Sequence, residues 1–82
     1  MAHDRIHARK PTHHLEEWDT ATIEAVGERD GHWIVTVQTD DGPSLELRTT
    51  FAIRDLVTRR LDIRPGESPV GERIWYKKRG GN

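Results

Sequence analysis

Three runs of residues between positions 19 and 49 alternate apolar and polar side chains, and this alternation constrains the fold more than any other feature of the sequence. The runs read DTATIEAVGE, HWIVTVQT and SLELRT, and they are rich in β-branched residues, which pack well on a pleated surface. The connections GERDG and TDDGP contain glycines that accept positive φ without steric cost. The pattern predicts three antiparallel strands in a meander.

The period then changes to that of a helix. In TTFAIRDLVTRRLDI the apolar residues recur at helical spacing, and Thr49 or Thr50 can cap the first turn. The turn residues of RPGESP end the helix, and GERIWYKKRGGN predicts a closing strand. The order is β-β-β-α-β in a mainly β (α+β) fold. Because a meander with one helix leaves a sheet face open, we expect a small OB-like or SH3-like barrel, with a split sheet packed on the helix as the alternative.

The amino-terminal residues have no sustained period, and Pro11 interrupts any helix there. We therefore expect residues 1–16 to form a disordered tail, residues 17–79 the barrel domain and residues 80–82 a frayed end. Four of the five histidines lie in the tail, namely His3, His7, His13 and His14. A metal site needs preorganised ligands, so none is predicted in a segment without a fold.

The composition also excludes several classes of site. The absence of cysteine excludes a disulfide framework, a thiol nucleophile and a zinc site with sulfur ligands. Several carboxylates lie in turns, no serine has a recognisable base, and a domain this small offers little pocket, so we expect neither an enzyme nor a cofactor. No apolar run is long enough to span a membrane, and the amino terminus has no apolar signal region. We expect a soluble, cytoplasmic protein.

The net charge of −1 conceals an uneven distribution. Residues 18–50 carry seven acidic and two basic side chains, whereas residues 51–82 carry four acidic and eight basic ones. A cationic block of this kind favours binding of a polyanion. The alternative is that the two oppositely charged halves attract each other.

The closing strand has two distinct faces. Alternation puts Trp75 between Arg73 and Lys77 on one face, and Ile74 and Tyr76 on the other. Burying Ile74 and Tyr76 costs less than burying a tryptophan whose neighbours are cations, so we expect Trp75 at the surface. The alternative is a buried Trp75 with the charges solvated around it.

This strand is the basis of the functional prediction. Basic grooves with aromatic rings bind single-stranded nucleic acids through phosphate contacts and base stacking. We expect a non-enzymatic module that binds single-stranded nucleic acid, RNA in particular, weakly and without sequence preference. The candidate residues are Arg73, Trp75, Lys77, Arg79, Arg59, Arg60, Arg64 and Trp33. The alternative is a protein-interaction or dimerisation module that uses an exposed sheet edge near an exposed Ile34.

Residues 18–79 resemble small uncharacterised domains of salt-loving archaea. The resemblance is carried by the TDDG hairpin and by the closing strand VGERIWYKK. Ten arginines against three lysines also suit such a source. The resemblance implies no function, because these domains are not assigned one.

Overall fold

The elements follow the predicted order from residue 19 onward, and one further strand precedes them. The structure is a computed structural model, and it describes residues 4–64 and 66–78. Its elements are β1 (Arg5–His7), a short 3-10 helix (Leu15–Glu17), β2 (Asp19–Arg29), β3 (His32–Thr39), β4 (Ser44–Thr49), α1 (Phe51–Arg60) and β5 (Arg73–Lys77). The strands form one antiparallel sheet in the order β1-β5-β2-β3-β4. The molecule is a small, mainly β fold with one helix.

The predicted meander from β2 to β4 is confirmed, and its first turn shows how the sequence specifies it. Asp30 and Gly31 have φ angles of 53° and 77°. Positive values at both central residues give a two-residue hairpin turn whose twist matches that of the strands. In β2, a bulge between Ile23 and Ala25 shifts the pairing with β3. Because a bulge bends its strand and increases the twist, the sheet curls around its apolar face.

Helix α1 begins after Thr50, whose side-chain oxygen accepts a hydrogen bond from the Ile53 N–H at 3.2 Å. This cap satisfies one of the amides that have no partner within the first turn. Val57 is fully buried against the sheet. Phe51, Ile53 and Leu61 are partly buried around it. The helix therefore covers the apolar face of the sheet, which we call the inner face.

The core lies between this inner face and α1. Its buried residues are Ile6, Ala21, Ile23, Trp33, Val35, Val37, Leu47, Val57, Ile74 and Tyr76. Most of them occupy alternate positions along their strands, as the pleat requires. The intervening side chains of each strand lie on the other side of the sheet, which we call the outer face.

The sheet is not closed into a barrel, so the prediction of a barrel is wrong. The edge strands β1 and β4 meet at one point, where the Asp4 N–H donates to the Arg48 carbonyl at 3.0 Å. The Asp4 carboxylate accepts in return from the Arg48 N–H at 2.8 Å. Within the described ranges, no strand ladder joins β1 to β4. The physical reason is that β1 has only three residues. The Asp4 side chain accepts the hydrogen bond from the Arg48 N–H that a backbone carbonyl would accept in a continuous ladder.

Asp4 is 4% exposed, and its buried charge has a cationic partner. Its Oδ2 atom accepts a hydrogen bond from Lys78 Nζ at 3.0 Å. Lys78 Nζ also donates to the carbonyl of Glu46 in β4 at 2.8 Å. A buried carboxylate is tolerated when it is paired and fully hydrogen-bonded. We call the contacts of Asp4 with Arg48 and Lys78 the Asp4 clasp.

The amino-terminal segment therefore differs from the disordered tail expected for residues 1–16. Strand β1 pairs with β5, with Ile6 opposite Tyr76, and Ile6 is 4% exposed. One buried isoleucine and the Asp4 clasp hold the segment, and neither gives a periodic signal in the sequence. Residues 1–3 and the expected frayed end at 80–82 lie outside the described residues.

Candidate functional site

The face that Trp75 occupies agrees with the sequence prediction. Ile74 and Tyr76 are buried in the core, at 1% and 6% exposure. Trp75 is half-buried on the outer face, where His7 of β1 and Thr20 of β2 lie opposite it in the register. One side of the indole therefore packs beside the neighbouring strands, and the rest of it remains at the surface.

A groove of about 350 Å³ opens beside the carboxyl end of β5. Its walls come from β1 and the segment that follows it, from the 3-10 helix, and from the ends of α1 and β5. The lining residues are Arg5, His7, Arg9, Lys10, Pro11, Thr12, His13, His14, Glu17, Trp18, Arg60 and Lys77. We call this site the cationic groove.

The groove is dominated by positive charge. Five of its lining side chains are lysine or arginine, and its one carboxylate belongs to Glu17. Glu17 pairs with Lys77 at 3.2 Å. No described residue forms an ion pair with the other four cations, which are Arg5, Arg9, Lys10 and Arg60. A concave surface lined by one sign of charge concentrates its field and attracts ions of the opposite sign.

His7 links the groove to the aromatic residues. Its ring centroid lies 4.5 Å from that of Trp18, with the two planes inclined at 55°. Burial lowers the pKa of His7, and the nearby cations of Arg60 and Arg5 lower it further. The imidazole is therefore neutral at neutral pH. Trp75 of β5 does not line the groove, but it lies opposite His7 in the strand register.

The opposite end of β5 is neutralised. The two guanidinium nitrogens of Arg73 donate to both oxygens of Asp40, at 2.7 and 3.0 Å. Thr20 also donates to Asp40, and Arg73 donates to Thr22 at 3.2 Å. These hydrogen bonds hold the pKa of the Asp40 carboxyl at about 2 and raise the pKa of Arg73. A bidentate pair of this geometry occupies the donors that a phosphate would need.

The structure scatters the other predicted site residues. Arg59 and Arg64 line a separate depression that also contains Asp55 and Glu67, although Arg60 on the same helix reaches the groove. Arg79 lies outside the described residues.

Trp33, a predicted contributor to the binding surface, is 3% exposed, so its indole offers little area on which a base could stack. It shares a face of β3 with Val35 and Val37, both fully buried, and the pleat carries its ring into the core with them.

The prediction of an exposed Ile34 is wrong, because this residue is 8% exposed. It lies on the outer face between Gly27 of β2 and Arg48 of β4. An ion pair between Arg29 and Glu46 joins the two flanking strands on either side of it. The aliphatic parts of long charged side chains can cover an apolar neighbour in this way.

Sequence reasoning missed Arg5, His7, Arg9, Lys10 and Trp18. The tripeptide RIH does alternate in the manner of a strand, but three residues are too few to separate a strand from a coil. The groove depends on pairing between the first and last strands, and no local pattern indicates a contact of that kind.

In the ranges 4–64 and 66–78, no group of three His, Asp or Glu side chains is arranged to hold a metal ion. Among the same residues, no helix has the length and apolar character needed to cross a membrane.

The model of a family of unknown function, DUF7861, matches residues 1–78 of the chain. The match includes the amino-terminal segment that lines the cationic groove. No curated protein and no solved structure matches the chain.

Proposed function

The chain belongs to this family of unknown function, and we propose from the geometry of the groove that it binds single-stranded nucleic acid, RNA in particular, through the cationic groove and Trp75. The observation that carries the proposal is the set of five lysine and arginine side chains that share one groove with a single carboxylate. Positive grooves that follow a phosphate backbone beside aromatic rings are the usual means of binding single strands.

Four groove cations have no ion partner among the described residues, and they favour a flexible polyanion as the ligand. Arg5, Arg9 and Lys10 lie along the β1 segment, and Arg60 approaches from the helix. A flexible single strand can place successive phosphates near each of them, and each contact releases a counterion. If each cation takes one phosphate, the affinity should fall with salt on a double-logarithmic slope of about −3.

The aromatic residues favour a ligand with bases. Trp75 is half-buried at the surface of β5, and Trp18 lies in the groove wall against His7. Stacking of a base on an aromatic side chain contributes about 1 to 3 kcal/mol, and it tolerates any base because each has a π face. We therefore propose binding that is tolerant of sequence. The proposal is one of binding without catalysis.

A protein-interaction function through strand addition at β4 has less support. The backbone N–H and carbonyl of Arg48 are both engaged by Asp4, and the carbonyl of Glu46 is engaged by Lys78. Strand addition needs a row of backbone groups without partners along the edge. The Asp4 clasp occupies part of that row.

The test compares two neighbouring arginines on the same helix. We would measure the affinity for a fluorescent oligouridine of about 12 nucleotides by anisotropy, at about 50 and about 200 mM salt. Arg60→Ala should weaken binding about tenfold at the lower salt, whereas Arg59→Ala, outside the groove, should change it by less than about twofold.

For the wild type, the fourfold rise in salt should weaken binding by about 60-fold at the slope given above. Equal affinities of the two variants, or binding that does not respond to salt, would contradict the proposal.

A further inference from the structure

Three histidines line the cationic groove, and the proposed binding function leaves them without a role. His7 lies in β1, and His13 and His14 lie in the segment that leads to the 3-10 helix. No metal site is predicted for them from the sequence, and the described residues hold no group of three metal-ligating side chains. Histidine is the side chain whose ordinary pKa puts its change of charge close to physiological pH.

The surroundings of His7 lower its pKa while the groove is empty. His7 is partly buried and faces cations from its own strand, from the helix and from β5. Each further positive charge in the groove adds to a repulsion that a proton must overcome. The charged and titratable groups that surround the three rings are Arg5, Arg9, Lys10, Glu17, Arg60 and Lys77.

A bound polyanion reverses this situation. Burial is the largest cause of the lowered pKa of His7, and phosphates at Arg60 and Arg5 would neutralise the two cations that lower it further. The same phosphates attract a proton to an imidazole a few ångströms away, since an opposite charge nearby favours the charged form. Glu17, the sole groove carboxylate, lies 3.8 Å from His14 and also faces Lys77, so it compensates only a part of the charge.

We propose that binding of a polyanion in the cationic groove is coupled to the uptake of a proton by His7. The inference rests on the proposed function, and it specifies how that function is regulated. Affinity rises as pH falls, because each histidine that gains a proton on binding adds up to about a tenfold gain per pH unit within its titration range.

The sign follows from the direction of the pKa shift of His7. Its pKa in the free protein lies below 6.5, and a bound phosphate raises it. Protons are taken up at pH values between the free and bound pKa, and the affinity gain is complete below the free value. Above the bound value His7 is neutral in both states, and its charge contributes nothing to binding.

The experiment uses an oligouridine, since neither its bases nor its phosphodiesters titrate near neutral pH. Affinity is measured by anisotropy at about pH 5.5, about pH 6.5 and about pH 7.5 at constant ionic strength. Calorimetry in two buffers of different ionisation enthalpy then counts the protons taken up. The wild type should gain about 10- to 100-fold in affinity across this range and take up about one proton or more near pH 6.5.

The test variant combines H7F, H13Q and H14N. Phenylalanine keeps a ring against Trp18, and asparagine accepts the left-handed conformation of His14, whose φ is 54°. The matched control is H32Q, because His32 lies on β3 outside the groove. The triple variant removes the three imidazoles of the groove lining, so the ratio of its affinities at about pH 5.5 and about pH 7.5 should fall close to one, whereas the control should keep the wild-type ratio.

The possible failures are distinct. If the wild type binds with the expected salt dependence but with equal affinity at every pH, or if the triple variant keeps the full rise, the coupling is wrong and the binding function stands. If no oligonucleotide binds at any pH at low salt, the proposed function itself is overturned, and the coupling with it.

Discussion

The two ends of β5 carry similar charges and present them differently. At its amino end, Arg73 is held by both oxygens of Asp40, a residue 33 positions away in the chain. At its carboxyl end, Lys77 opens into a groove where four further cations have no ion partner among the described residues. The number of positive charges on a strand therefore does not predict the electrostatic potential at its surface. That potential depends on which carboxylates the fold brings into contact with which cations.

Asp40 is a turn residue that the fold brings into contact with a distant cation. In the sequence it belongs to the TDDG step, where an aspartate is expected for its local hydrogen bonding. In the structure it follows β3 and reaches over β2 to Arg73 of β5. The acidic hairpin therefore neutralises the amino end of the closing strand, and the cations without an ion partner among the described residues lie toward β1.

The largest loss of oligouridine affinity is expected when cations at the groove end are replaced. The double change R5E/R60E replaces two groove cations with carboxylates and should weaken oligouridine binding by about 100-fold or more at low salt. The change R73Q at the paired end should alter the affinity by less than about twofold. Anisotropy titrations of both variants give the ratio directly. Similar losses in the two variants would mean that the two ends are equivalent.

Removal of the Asp4 clasp should produce the next largest effect. In D4A, Lys78 and the Arg48 N–H lose a buried acceptor, and we expect the free energy of unfolding to fall by about 1 to 3 kcal/mol. Urea denaturation measures this loss. The groove should become less protected from proteolysis than the Arg73 end, since β1 carries groove residues. D4N, which keeps an acceptor, is the matched control and should lose less stability.

Trp75 lies between the two ends of β5, and substitutions there measure how much base stacking contributes to the affinity. In W75A the loss of a stacking surface should weaken binding by about 5- to 100-fold. W75F keeps a ring and should recover much of that affinity. The salt slope should be the same in all three proteins, because stacking releases no counterions. An unchanged affinity in W75A would remove base stacking from the proposed function.

The smallest effect concerns acid stability at the paired end. The pKa of Asp40 is about 2 in the folded protein, below its ordinary value of 3.8, so the carboxylate stabilises the fold above about pH 4 and this contribution is lost as pH falls through 2. D40N should therefore show a shallower decline in urea midpoint across that window than the wild type. Since the pair is exposed, we expect a modest difference, and identical declines would contradict the assigned cause.

Local patterns predicted the parts of the fold that depend on local physics. The meander followed from alternation and glycine turns, the helix from its period and the Thr50 cap, and the orientation of Trp75 from the cost of burying Arg73 and Lys77 with it. Each of these rests on residues a few positions apart. The sequence could be interpreted at this level because steric and solvation preferences act over the same short range.

Long-range pairing explains what the sequence did not show. Strand β1 depends on the pairing of Ile6 with Tyr76. The groove depends on a close approach of Arg5 and Arg60, which are far apart in the sequence. The neutralisation of Arg73 likewise requires a contact with Asp40 across the sheet. A segment with one apolar residue carries too little information to predict such partners.

The position of β1 in the sheet has a consequence for biosynthesis. Its one strand partner in the described sheet is β5, and the lysine of the Asp4 clasp follows that strand. A nascent chain can assemble the meander while later residues are still within the ribosome, but its first strand must wait for its last. Contacts between residues this far apart are slow to form because the intervening chain must first be closed into a loop. The groove, which needs β1 paired with β5, therefore cannot form before β5 has been made.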